Sequence, residues 1–208
     1  MNITRENMGK NSWLDTMMLP ENLIPNKETF TKLWNLHPEE HAEVLIYGKM
    51  IPIPRWQRSY GRDYKFSGVV SKGHDIPNEL VPYIDWANSL EYGSNDGSKF
   101  DEILLNWYAN GENYIGSHSD DESQLKKGSP IVTITLCDTD DLSILRKFRI
   151  RNKDESKKVV KDVLTSNGMV LVMGGDFQKE FRHEVVKMTG EIAKKAAPRI
   201  SITLRQFV

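Results

Sequence analysis

From Glu102 onward the chain reads as a succession of short strand-like runs: Glu102 to Tyr108, Ile131 to Leu136, Phe148 to Arg151, Val159 to Leu164, Met169 to Met173, His183 to Val186 and Pro198 to Phe207. Gly and Asn-Gly turn signals separate several of them. Such turn signals favour an all-β double-sheet core over a parallel α/β sheet. The expected fold class is therefore mainly β, α+β overall, with a double-sheet jelly-roll core. Upstream, Val44 to Tyr47 reads as a strand, Ile51 to Pro54 as a proline-rich edge or loop, Tyr64 to Val70 as extended chain and Tyr92 to Lys99 as a loop. Apolar residues at helical spacing predict one amphipathic helix over Asn78 to Leu90. The first forty residues look helical and loop-like, with a short helix from Lys27 to Leu36 capped by Asn26. Residues 1–43 thus read as a flank of N-terminal helices and loop on a domain spanning 44–208.

The last run carries the clearest functional signal. Side chains alternate along a strand, so Arg199, Ser201, Thr203 and Arg205 share one face and Ile200, Ile202 and Leu204 the other. Two guanidiniums bracketing two hydroxyls suit a small dicarboxylate, because each Arg offers a planar fork to one carboxylate. The plain alternative is a solvated face of a half-exposed antiparallel strand.

Composition narrows the chemistry. At 208 residues the chain can bury a real core in one domain. No stretch approaches the roughly 18 apolar residues of a membrane span, and the start is too polar for a secretory signal, so an intracellular protein without membrane contact is expected, nucleus or cytoplasm being left open. Cys137 is the single cysteine, which excludes an internal disulfide and a thiolate metal cluster within one chain. Any metal must then use His, Asp or Glu. Net charge is −1, yet Arg146 to Lys161 holds eight cations against two anions, and Arg55, Arg58, Arg62 and Lys65 interleave with Trp56, Tyr60, Tyr64 and Phe66. Basic residues mixed with aromatics can track a phosphate backbone, although a charge run is more often a solvated face.

His118 and Asp120 are two positions apart, hence on one side of an extended segment, and His183 can complete a facial set of two imidazoles and one carboxylate. Such a set leaves open positions on a non-haem iron. Asn106 and Tyr108 form another same-face polar pair on a strand. A polar interior of this kind is costly unless ligands satisfy it, about 1–3 kcal/mol for each unpaired buried group.

In these motifs, and in their order, the chain resembles the AlkB-like Fe(II) and 2-oxoglutarate-dependent dioxygenases, in particular the branch that repairs alkylated DNA. The resemblance runs from about Ile46 to Phe207 through Tyr47-Gly48-Lys49, Pro54-Arg55, Tyr60-Gly61, Tyr64 to Gly68, Asn106-Trp107-Tyr108, Ile115 to Glu122, Gly128 to Ile131, His183 and Ala197 to Arg205. It implies a double-stranded β-helix with His118, Asp120 and His183 as catalytic iron ligands. It further implies that Arg205 and Asn106 hold the 2-oxoglutarate carboxylate that chelates iron, and that Arg199, Tyr108 and Ser201 hold the distal one. Thr203 shares that face and is expected to line the pocket. With O2, the implied reaction removes N-alkyl groups of the 1-methyladenine and 3-methylcytosine type from DNA, releasing formaldehyde, succinate and CO2. For substrate contact the resemblance points to Tyr64 and Phe66 around an extruded base, Glu122 at its exocyclic amino group and Tyr47 on a hairpin that wedges into the duplex. Core packing is the plain alternative for Tyr64 and Phe66, and a solvated loop for Glu122. Departures from the pattern fall in the long acidic segment Cys137 to Lys147 and at Glu184, away from the implied iron and cosubstrate ligands. Two other readings stay open: the same chemistry on RNA, and a metal-free jelly-roll protein that binds nucleic acid. A monomer is expected.

Overall fold

Strand pairing follows the alternation seen in the sequence. The computed structural model describes residues 2–66, 69–90, 92, 97–120, 123–139, 141–155 and 157–208. In chain order, strands Thr4–Asn7 (β1) and Ser12–Met18 (β2) precede helix Lys27–Trp34 (α1). Next come Glu43–Ile46 (β3), Lys49–Pro52 (β4), Trp56–Tyr60 (β5), Tyr64–Phe66 (β6), Val69–Ser71 (β7), Gly73–His74 (β8) and helix Val81–Ser89 (α2). The remainder is Glu102–Tyr108 (β9), Ile115–His118 (β10), Ile131–Cys137 (β11), Arg146–Asn152 (β12), Val159–Thr165 (β13) and Met169–Gly175 (β14), then Phe177–Glu180 (α3), Phe181–Val185 (β15), Glu191–Lys195 (α4) and Arg199–Arg205 (β16).

A major sheet runs β1-β2-β14-β11-β16-β9-β5-β8, and a minor one β10-β15-β12-β13. Between β9 and β16 the chain crosses repeatedly from one sheet to the other, and these strands pair antiparallel, whereas β5 and β8 at the edge of the major sheet pair parallel. This is the expected jelly-roll core. The long segment after β11 carries the crossing to the minor sheet through a short turn at Leu142–Ile144. Hairpins β3–β4 and β6–β7 stand outside both sheets.

The outer face of the major sheet is covered by α1 and α2. The Asn26 side chain accepts from Thr29 N at 2.9 Å and so starts α1, which buries Phe30 and Leu33. These residues, with Leu80, Tyr83 and Ala87 of the α2 region, pack on Ile103, Leu105, Trp107, Ile134, Ile200 and Ile202. Trp107 also donates through Nε1 to Leu33 O at 3.0 Å, near the end of α1 where helix carbonyls need partners. A second apolar cluster, including Leu14, Ile131, Phe148, Ile150, Leu171 and Phe181, joins the two sheets. No helix among the described residues is long and apolar enough to cross a membrane.

The N-terminal flank departs from expectation. The helix is present, but residues before it form β1 and β2, and β2 pairs with β14 to extend the major sheet. Asp15 hid this strand. Its buried carboxylate accepts from Arg5 Nε at 2.7 Å and from the Tyr92 hydroxyl at 2.5 Å, so a charged residue sits where alternation alone predicts an apolar one. Arg5 faces Asp15 across the β1–β2 hairpin, whereas Tyr92 is remote in sequence.

Candidate metal and cosubstrate site

The register of β16 assembles the polar wall. Arg199 lies opposite Tyr108, Ser201 opposite Asn106, Thr203 opposite Leu104 and Arg205 opposite Glu102. On the other side of β16, Ser201 faces Thr135 and Thr203 faces Thr133. On the far side of β9, Gln57 faces Asn106. Because side chains alternate, matched register places these polar residues in adjoining rows on one face. That face looks toward the minor sheet across a cavity of 1120 Å³.

The minor sheet supplies the imidazoles. His118 on β10 and His183 on β15 are direct cross-strand partners, with ring centroids 4.3 Å apart. Asp120 follows two residues after His118, and its carboxylate lies 3.8 Å from His118 Nε2 and 3.7 Å from His183 Nε2. One ligand atom from each residue falls within 4.8 Å of the others. His118 Nδ1 faces Gly116 O at 2.8 Å, so the tautomer that donates this hydrogen bond leaves Nε2 with a lone pair toward the site. Phe148 stacks on His183 at 5.2 Å, and Asp120 N donates to the Gln178 side chain at 2.9 Å.

Electrostatics keep these groups ready for a metal. Burial, reinforced by repulsion from His118, pushes His183 down to about 3, and burial also lowers His118. Burial alone would raise Asp120, but the Arg205 guanidinium and then the two imidazoles outweigh it and hold the carboxyl at about 2. Around neutral pH the set is two neutral nitrogens and one carboxylate, the protonation state a metal requires. Fe(II) fits this donor set. Beside this set, Arg199 Nε and Nη1 are buried without a hydrogen-bond partner among the described residues, donors that an acceptor such as a carboxylate would satisfy.

Of the expected cosubstrate residues, Asn106, Tyr108, Ser201, Thr203 and Arg205 line the cavity. Arg199 stands one layer back, 5.1 Å from the Tyr108 ring, with Nη2 donating to Thr135 Oγ1 at 3.0 Å. Arg205 donates from Nη2 to Asp120 Oδ1 and from Nη1 to Glu102 Oε2, both at 3.0 Å, and lies 4.7 Å from the Tyr64 ring. Asn106 Oδ1 accepts from Arg55 Nε at 2.7 Å, and Arg55 Nη2 donates to Gln57 at 2.9 Å.

Sequence reasoning gave Arg55, Glu102 and Gln178 no role at this site. Arg55 belongs in sequence to the Pro54-Arg55 motif and to a basic, aromatic cluster, yet it is buried beside Asn106. Its neighbour Arg58 donates to Leu36 O and Arg62 pairs with Asp101 at 3.1 Å, so the cluster is no continuous basic surface. Most of the run from Arg146 to Lys161 is likewise matched in space. Lys147 and Arg149 meet Asp162, Arg151 meets Glu184, Lys161 meets Glu6, and Arg146 is buried against backbone carbonyls.

On the substrate side, Tyr64 lines the cavity but also packs with Leu104 and Phe207 in a small apolar cluster. Tyr47 occupies the tip of the β3–β4 hairpin and is fully exposed (102%). With Ile46 paired to Lys49, Tyr47 and Gly48 form a two-residue turn in which both have positive φ, 48° and 76°, as a tight hairpin of this twist demands. Leu45, Met50 and Ile51 of the same hairpin are exposed too. Glu122 and the side chain of Phe66 lie outside the described residues.

The family model of the 2OG-Fe(II) oxygenase superfamily matches residues 37–205. The human protein named DNA oxidative demethylase ALKBH2 is 30% identical over 172 residues, covering 80% of this chain and 62% of its own length. The mouse protein of that name is 29% identical over 177 residues, covering 80% of this chain and 67% of its own. The chain thus spans about three fifths to two thirds of these relatives. The solved structure of OsALKBH1 superimposes with a TM-score of 0.58 at 16% identity, covering 98% of this chain and all of that one, and so shares the fold.

Proposed function

We propose that this chain, which belongs to the 2OG-Fe(II) oxygenase superfamily, is a 2-oxoglutarate-dependent dioxygenase that removes N-alkyl groups, of the 1-methyladenine and 3-methylcytosine type, from DNA bases. The observation that carries the reading is the convergence of His118, Asp120 and His183 across the β10–β15 register beside a wall bearing Asn106 and Arg205. The DNA substrate is supported by the names of the relatives.

His118, Asp120 and His183 would hold Fe(II), and Arg205 with Asn106 would meet the near carboxylate of 2-oxoglutarate. Arg199, Tyr108 and Ser201 would meet the distal one, Arg199 by donating its buried Nε or Nη1. Iron, 2-oxoglutarate and O2 together supply the oxidation of the N-alkyl carbon, with succinate and CO2 as coproducts and formaldehyde leaving as the base is restored. The chain's own contribution is placement. Neutral imidazoles and an ionised Asp120 are preformed, and the cavity between the sheets sets where the reacting carbon would sit. A base inside a duplex cannot reach that depth, so it must be extruded. The exposed Tyr47 tip, flanked by Leu45 and Met50, suits an apolar wedge that opens the stack.

The test is turnover of oligonucleotides bearing 1-methyladenine or 3-methylcytosine with Fe(II), 2-oxoglutarate and O2, read by mass spectrometry. Restored base that requires both iron and 2-oxoglutarate is expected. Succinate without restored DNA base, together with restoration of the matched ribonucleotide strand, would move the substrate to RNA.

A further inference from the structure

Glu102 stands opposite Arg205 in the β9–β16 register and is wholly buried (0% exposed). Its Oε2 accepts from Arg205 Nη1 at 3.0 Å, and its Oε1 accepts from Ser59 Oγ at 3.1 Å. The other edge of the same guanidinium donates to Asp120 at 3.0 Å. One cation therefore bridges two carboxylates, of which Asp120 lines the cavity and Glu102 lies behind its wall. Nothing about packing asks for a carboxylate there. Ile103 and Leu104 next to it are apolar and also buried, and the ring face of Tyr64 lies 4.7 Å from the Arg205 guanidinium. Holding a charge at this depth is expensive: burial raises the Glu102 carboxyl to about 7 even beside Arg205.

We infer that Glu102 is a positioning residue that shares the charge of Arg205 with Asp120, strengthening Asp120 as a metal donor and loosening the grip of Arg205 on the cosubstrate carboxylate. The inference rests on the proposed function, which makes Asp120 a ligand and Arg205 a carboxylate partner. Its physical basis is competition. A guanidinium facing Asp120 alone would draw more electron density from the ligand oxygen, and it would present a less compensated charge to any other anion in a site of low dielectric. With Glu102 in place both effects weaken. Release of the product dicarboxylate then needs less energy, while the metal stays bound.

The test is Glu102→Gln, which keeps shape and hydrogen bonding but removes the charge. Mn(II) affinity is measured by the resonance of the free ion, and 2-oxoglutarate affinity by calorimetry at saturating Mn(II), at pH 8 so that the wild-type carboxylate is ionised. Mn(II) should bind on the order of tenfold more weakly and 2-oxoglutarate several-fold more tightly. Opposite signs are the diagnostic, because a structural defect weakens both. Unchanged affinities, or both falling together, overturn the role of Glu102 while leaving the proposed function standing if wild type binds both ligands; wild type that binds neither removes the proposed function itself. Should Glu102→Gln fail to fold, Ser59→Ala carries the test, since removing this donor raises the cost of the charge and should give the same pair of shifts at about two- to threefold.

Discussion

Along β16, Ile200, Ile202 and Leu204 alternate with Arg199, Ser201, Thr203 and Arg205, and both sets are almost wholly buried. The apolar set meets α1 and α2 and is satisfied by contact alone. Ser201, Thr203 and Arg205 line a cavity with Arg199 one layer behind, and part of the set's hydrogen-bonding capacity, Arg199 Nε and Nη1, has no partner among the described residues. Equal burial thus hides opposite purposes: one face stabilises the fold, and the other is left incomplete for ligands to complete.

The sharpest way to separate the faces is to remove Asp120. In Asp120→Ala, Mn(II) binding should fall by more than the roughly 10–100-fold typical of changes outside the ligand set. The melting temperature of the metal-free protein should stay near wild type, because Arg205 keeps Glu102 as a partner. A melt lowered as much as binding would mean that the polar face also carries the fold. On the opposite face, Trp107→Ala should cost about 3–5 kcal/mol in denaturant unfolding, through the cavity left and the Leu33 carbonyl stripped of its donor, while Mn(II) affinity of the folded fraction is kept. Loss of Mn(II) affinity there would couple faces that the geometry keeps apart.

The smallest effect concerns protons. A pair of ordinary imidazoles would lose on the order of 100-fold in metal affinity between pH 7.5 and 5.5. Here burial holds both His118 and His183 below their usual range, so the expected loss is only a few-fold, and the Mn(II) titration repeated at pH 5.5 checks it. The linked effect on folding has a definite sign. With His183 at about 3 when folded, the unfolded chain binds more protons between its ordinary value and 3, and the metal-free protein loses stability as pH falls through that window. A steep loss of metal binding centred on the ordinary imidazole value would show that the pocket is wetter than its burial implies.

Much of this was legible in the chain because it is written in local periodicity. The alternation of Arg199 to Arg205, the strand at Asn106 and Tyr108, and the two-residue step from His118 to Asp120 each describe a face of one strand, and each face is found where the alternation puts it. The N-terminal strands and the buried charges were harder to read. Asp15 in β2 and Glu102 in β9 look like surface residues by type, and what makes their burial possible, Arg5 and Tyr92 in one case and Arg205 in the other, comes from elsewhere in the chain. The basic run from Arg146 to Lys161 erred in the other direction, since its counter-charges at Glu6, Asp162 and Glu184 lie on other strands.

The amino-acid sequence by itself determined which residues share a face, because the two-residue period of a strand is a local property of the backbone. It likewise determined that any metal here must be met by imidazole and carboxylate, Cys137 being alone. Only the tertiary structure decided that His118 faces His183, that Arg205 is shared between Asp120 and Glu102, and that Arg55 turns inward to Asn106. Those outcomes depend on the register between strands distant in sequence and on which side chains that register buries together, and neither is encoded in the pattern of any single segment.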